Sequence, residues 1–144
     1  SYCNKLKFVQ TAREEREVDK MVERMNVKLS TPAQPIGSLS GGNQQKAILG
    51  KWLLTKPNVL ILDEPTRGID VGAKYEIYSL IAKLAAEGMA VILISSELPE
   101  MMGMADRVIT FCEGRITAEF TSNEIEQERI VNAAFGFQNA EELS

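Results

Sequence analysis

The sequence predicts an α/β fold built on a mostly parallel sheet, and three observations carry that expectation. Two runs, Val59 to Leu62 and Ala90 to Ile94, are apolar at every position, as strands covered on both faces of a parallel sheet are. Between them Ile77, Leu80, Ile81 and Leu84 recur at helical spacing, so strand, helix and strand follow in the order of a βαβ unit, whose crossover is right-handed. Ahead of both, Val18, Met21, Val22 and Met25 recur at three and four among Glu14, Glu15, Arg16, Lys20 and Arg24, the pattern of an amphipathic helix.

Composition narrows the function classes. The chain has 144 residues, enough for one domain with a real core but small for a complete doubly wound nucleotide-binding fold. With 16 Lys and Arg against 20 Asp and Glu it lacks the basic footprint that nucleic acid or an anionic membrane surface selects. Its longest apolar run, Met89 to Ile94, is far shorter than the roughly 18 residues that suggest a spanning helix. No charged-then-apolar leader opens the sequence, so the expectation is a soluble, unsecreted protein. Histidine is absent, and Cys3 and Cys112 show neither CxxC nor Cys/His spacing, which argues against zinc sites, His-based triads and structural disulfides.

Each element has a local reason. Ser1 to Thr11 carries no pattern, and the first helix is expected over Ala12 to Val27. Pro32 and Pro35 make Ser30 to Ser38 a loop. Ser40 then stands as N-cap of a helix running from about Gly42 to Thr55, with Ile48, Leu49, Trp52 and Leu53 inward, until Lys56-Pro57-Asn58 stops it. The crossover helix is expected over Val71 to Ala86, with Gly88 as its C-terminal cap. A short helix, Leu98 to Met104, has Ser95 or Ser96 as its cap, and Glu113-Gly114 turns a hairpin between Arg107 to Cys112 and Arg115 to Phe120. Val108, Thr110, Ile116 and Ala118 give that hairpin its alternation. Ser122 to Ala134 reads as a last helix, and Gly136 to Ser144 as a frayed end.

Two stretches carry chemistry. A helix opening at Gly41 and Gly42 exposes backbone N–H groups and the positive end of its dipole, where a phosphate is received and Ser40 can donate its hydroxyl. The same Ser-Gly-Gly also suits an ordinary Ser-capped helix after a glycine turn. It is not a P-loop: Gly37 to Gly42 fits GxxxxG, but Asn43 and Gln44 stand where Lys and Ser or Thr are needed, and a loop precedes it instead of a strand. Neither GxxxxGK[ST] nor GxGxxG occurs in the chain. The second stretch is Asp63-Glu64-Pro65, two acids at the carboxyl edge of an apolar strand. One acid there can hold Mg²⁺, usually through water, while its neighbour orients an attacking water; solvated acids at a strand-to-turn junction look the same.

In its wording, LSGGNQQK at Leu39 to Lys46 resembles the signature motif of ATP-binding-cassette (ABC) ATPases, VLILDEP at Val59 to Pro65 their Walker B strand, and Gly68-Ile69-Asp70 their D-loop. SLSGGNQQK, WLLTKP, LDEPTRGIDVGAK and ISSELPE are similar in particular to the second cassette of bacterial sugar importers of the galactose/methyl-galactoside and ribose kinds. The resemblance implies a partial P-loop NTPase (ABC ATPase) fold. Residues 1–40 would be part of the helical subdomain, 41–121 part of the ATPase core, and 122–144 a C-terminal helix and tail. It further implies ATP and Mg²⁺ as cofactors. Asp63 would hold the Mg²⁺ shell, Glu64 would polarise the hydrolytic water, and Asp70 would signal across a cassette dimer. Ser40, Gly41, Gly42 and Asn43 would contact ATP held by the opposing cassette. The partners implied are that cassette, the membrane permease subunits and, indirectly, a periplasmic or lipoprotein sugar-binding protein. The location implied is cytoplasmic, at the inner face of the cell membrane.

Three departures from the family pattern bear on activity. Asn43 stands where the general family has Gln, and Ser96 where the switch position usually has His; a hydroxyl neither spans the imidazole's distance nor carries its charge. The Walker A loop is missing, so the sequence reads as the carboxyl-terminal part of one cassette, inactive by itself. Two other functional classes share these motifs: a soluble cassette ATPase acting on DNA or ribosomes, against which the acidic balance argues, and a non-enzymatic interaction domain. Losing the first strands should also leave apolar sheet surface uncovered, a surface that favours self-association.

Overall fold

The computed structural model describes residues 11 to 137, so the expectations for 1 to 10 and for 138 to 144 lie outside the described residues. The chain divides into two compact units, one through Ile92 and one from Leu93.

The first unit holds α1 (Thr11–Arg24), a 3₁₀ turn (Ile36–Ser38), α2 (Gly41–Leu53), β1 (Val59–Asp63), α3 (Val71–Ala86) and the start of β2 (Ala90–Ile94). Strands β1 and β2 are hydrogen-bonded neighbours, and the Ala90 N–H meets the Asn58 carbonyl at 3.2 Å. The core gathers Met25, Leu49, Leu53, Leu60 and Leu84, with Met21, Val27, Leu62, Leu80 and Met89 half-buried around them. An Arg24–Glu87 ion pair ties the end of α1 to the end of α3. Helix α3 closes as its sequence indicates. Gly88 takes φ +95°, and the Met89 N–H returns to the Leu84 carbonyl at 3.1 Å, the longer of the two bonds of a Schellman cap.

Two expectations about faces need correction. Helix α2 buries Gly42, Lys46, Leu49, Gly50 and Leu53, whereas Ile48 and Trp52 are 43% and 56% exposed. The helix is rotated to set its small residues inward, because only there is there room for neighbouring helices to approach. Neither strand is covered on both faces: in β1 Leu60 is buried while Val59 and Ile61 are 51% and 64% exposed, and in β2 Ile92 and Ile94 are half exposed. The outward-facing side chains of Ile48, Trp52, Val59 and Ile61, with Pro65 and others, line an open groove of about 420 Å³.

The second unit contains α4 (Leu98–Met104), β3 (Arg107–Cys112), β4 (Arg115–Thr121), a 3₁₀ turn (Ser122–Glu124) and α5 (Gln127–Ala134), around Val108, Phe120, Ile130 and Ala133. The N-cap of α4 is Glu97, not Ser95 or Ser96. Ser95 instead makes a local turn, its hydroxyl accepting the Glu97 N–H at 3.0 Å and donating to the Glu100 carboxylate at 2.7 Å. The hairpin is antiparallel and turns as expected, with Glu113 at φ +49° and Gly114 at φ +77°. A bulge explains its loose alternation. Thr110 faces Ala118 but Phe111 faces Ile116, so Thr117 is an extra residue that shifts the phase and leaves Ile116 63% exposed. The last helix is shorter than its sequence pattern indicates. Thr121 and Glu124 form a capping box on the 3₁₀ turn, and Ile125 and Glu126 are extended before α5 begins.

Candidate functional site

The glycine end of α2 is held by side chains, not by the cap its sequence suggests. Ser40 occupies the N-cap position with extended backbone, φ −62° and ψ 153°, yet its side chain makes no cap hydrogen bond. Its Oγ accepts instead from Asn43 Nδ2 at 2.9 Å, and Asn43 Oδ1 accepts the Lys28 backbone N–H at 2.8 Å. Gln44 braces the approach, its Nε2 donating to the Leu39 carbonyl at 2.8 Å. The two glycines differ. Gly41 is exposed, whereas Gly42 is buried where a Cβ would stand 2.6 Å from Ala73 Cβ, so Gly42 serves the close approach of α2 to α3.

One turn further along, Lys46 is 2% exposed, with its ammonium donating to the Asn26 carbonyl at 3.1 Å and paired with Glu76 on α3. The Lys46 hydrogen bond, and after it the Lys46 charge, hold the Glu76 carboxyl below the usual glutamate range. Sequence reasoning missed this pair. The signal was present: a lysine lies on the stripe Gly42, Lys46, Leu49, Gly50, Leu53 that α2 turns inward.

The acids follow β1. Asp63 is its last residue and is exposed; Glu64 is half-buried in the left-handed region, φ +46°, a conformation that costs a non-glycine residue roughly 1–2 kcal/mol. The turn is anchored below them by Pro65 and Thr66, both buried, with the Thr66 and Tyr78 hydroxyls 2.9 Å apart. Asp70 is engaged as N-cap of α3, its Oδ1 accepting the Ala73 N–H at 3.0 Å. The groove beside β1 is lined by Asp63 but not by Ser40 to Asn43, so it does not gather the glycine turn and the acids into one pocket. Ser96 follows β2 in the second unit and is exposed.

As a donor set, the oxygens of Asp63 and Glu64 suit Mg²⁺, and the opening of α2 suits a terminal phosphate. The lysine nearest that opening along α2 is committed inward to Glu76, so these residues fit part of a nucleotide site and not its whole phosphate cradle.

A family model described as ABC transporter matches residues 3–67. The xylose import ATP-binding protein XylG of Geobacillus kaustophilus is 53% identical over 132 residues, which are 92% of this chain and 26% of that protein. The ribose import ATP-binding protein RbsA of the same organism is 52% identical over 129 residues, 90% of this chain and 26% of that protein. Among solved structures, the ADP conformation of MJ1267, an ATP-binding cassette of an ABC transporter, superposes with a TM-score of 0.74 at 25% identity, covering 90% of this chain and 53% of that one. The chain thus spans about a quarter of the length of these curated relatives and about half of the solved cassette.

Proposed function

Because the chain belongs to the ABC transporter ATP-binding family, we propose that it is part of the energy-coupling ATPase of a bacterial sugar importer. The names of its relatives favour xylose and ribose, and the wording of its motifs adds galactose and methyl galactosides to the class of sugar. Its segments are residues 1–40 of a helical subdomain that meets the permease, 41–121 of the ATPase core, and a C-terminal helix and tail over 122–144. The partners are an opposing cassette, the permease subunits and, through them, a periplasmic or lipoprotein sugar-binding protein. The assembly sits on the cytoplasmic face of the membrane. Among the described residues no helix is long and apolar enough to cross a membrane, which accords with a peripheral subunit.

The observation that carries this reading is the opening of α2, where Ser40 leaves the first-turn N–H groups uncapped by its own side chain. There Ser40, Gly41 and Gly42 receive the terminal phosphate of ATP held by the opposing cassette, with Asn43 beside them. At the other edge Asp63 holds the Mg²⁺ shell and Glu64 accepts hydrogen bonds from, and so orients, a water. ATP with Mg²⁺, when bound, supplies the phosphoryl group whose hydrolysis drives the cycle. Asp70 joins the cassette interface while capping α3, and Ser96 occupies the switch position without an imidazole's reach or charge. With Lys46 turned inward and GxxxxGK[ST] absent, the 144-residue chain is expected to release no phosphate from ATP by itself.

Introducing Ser40→Arg into the assembled importer tests the reading, since a bulky cation blocks the helix opening without entering the core. Sugar uptake is expected to be lost; unchanged uptake would overturn the phosphate assignment. Phosphate release by the purified chain that disappears on Glu64→Gln would overturn the incomplete-site reading.

A further inference from the structure

The hydrogen bonds around Asn43 give it a role distinct from touching a nucleotide. A backbone N–H can only donate, so the Lys28 N–H at 2.8 Å fixes which end of the Asn43 amide is the oxygen. The NH₂ end must then face Ser40 Oγ, at 2.9 Å, and it too can only donate. Two consequences follow for Ser40. Its oxygen is occupied by the amide and does not cap the first-turn N–H groups of α2, in agreement with the missing side-chain cap. Its own proton remains available to point at an acceptor outside.

The anchor is itself fixed. The corner that carries the Lys28 N–H begins at Asn26, held in the left-handed region at φ +49°, and the Asn26 carbonyl is gripped by the buried ammonium of Lys46. Segment 26–28 is thus tied to α2 twice, once through Lys46 and once through Asn43, and Asn43 passes the second tie to Ser40.

Resting on the phosphate reading above, we propose that Asn43 is a positioning residue: anchored on the Lys28 N–H, it holds the Ser40 hydroxyl as a hydrogen-bond donor toward the phosphate. Asn43→Asp isolates this role. An aspartate still accepts from Lys28 and, as an acid in the first turn of a helix, does not weaken the fold. It cannot donate to Ser40, and instead draws the serine proton inward.

The experiment has two arms. In the 144-residue chain, amide exchange at Lys28 is expected to stay slow in Asn43→Asp and to quicken about tenfold in Asn43→Ala, the loss of one hydrogen bond. Unchanged exchange in Asn43→Ala would overturn the clamp itself, whatever the chain binds. In the assembled importer, kcat/KM for Mg-ATP is compared for Ser40→Ala, Asn43→Asp and the double variant. Each single variant is expected to lose about tenfold and the double variant no more than the larger single one. Losses that multiply in the double variant would show Asn43 acting by charge alone and overturn the inference. A silent Ser40→Ala would instead sink the phosphate reading, while the Lys28 exchange still decides whether the clamp exists.

Discussion

The two faces of the α2 and β1 layer are equally apolar in sequence and opposite in structure. On one face Leu49, Leu53 and Leu60 are each 5% exposed and share a core with Met25 and Leu84. On the other, Ile48, Trp52, Val59 and Ile61 stand between 43% and 64% exposed around an open groove. The inner face shows what holds this unit together; the outer face is apolar surface that the described residues leave uncovered.

The largest test of that contrast sets adjacent residues of β1 against each other. Leu60→Ala is expected to lower stability by about 2–5 kcal/mol in urea denaturation, as truncations at closed core sites do. Ile61→Ala, one residue on and 64% exposed, should stay within about 0.5 kcal/mol. Equal losses at both positions would erase the distinction between the faces.

Next in size is the contact that fixes the rotation of α2. Gly42→Ala puts a methyl group against Ala73, where the ideal Cβ separation is only 2.6 Å, and is expected to cost about 1–3 kcal/mol in thermal or chemical unfolding. At exposed Gly41 the nearest atom to an added Cβ is the Ile69 Cγ2 methyl at 3.1 Å, farther than Ala73 stands from Gly42, so Gly41→Ala should cost less. A neutral Gly42→Ala would mean that α2 and α3 are not held by this close approach.

The smallest effect sharpens the polar side of the inner face. Lys46 depresses the Glu76 carboxyl, so the stabilisation it gives is present above the ordinary glutamate value, about 4.3, and is lost as pH falls through the lower folded value. Glu17 and Glu124 are depressed too, by Lys20 and by Thr121, and contribute to the same acid limb. Subtracting the pH profile of Glu76→Gln from that of the unmodified chain isolates the Lys46 pair. A difference that does not shrink between pH 5 and pH 3 would contradict the pairing.

The order and kind of the elements follow from local patterns in the chain. Runs such as Ala90 to Ile94, the helical spacing of Ile77 to Leu84, and Glu113-Gly114 at the hairpin tip are local signals, and local geometry answers to them. The carboxylates at the end of β1 and the glycines at the start of α2 were legible for the same reason, since each depends on its immediate neighbours. Which apolar face is covered depends on packing between elements, because a strand or helix pattern records hydrophobicity and not what packs against it. The same packing makes Gly42 a contact point for α3, buries Lys46 against Glu76 and sets Asn43 between Lys28 and Ser40. Lys28 with Asn43 and Lys46 with Glu76 lie 15 and 30 positions apart, and the energies of those contacts exist only once the segments meet.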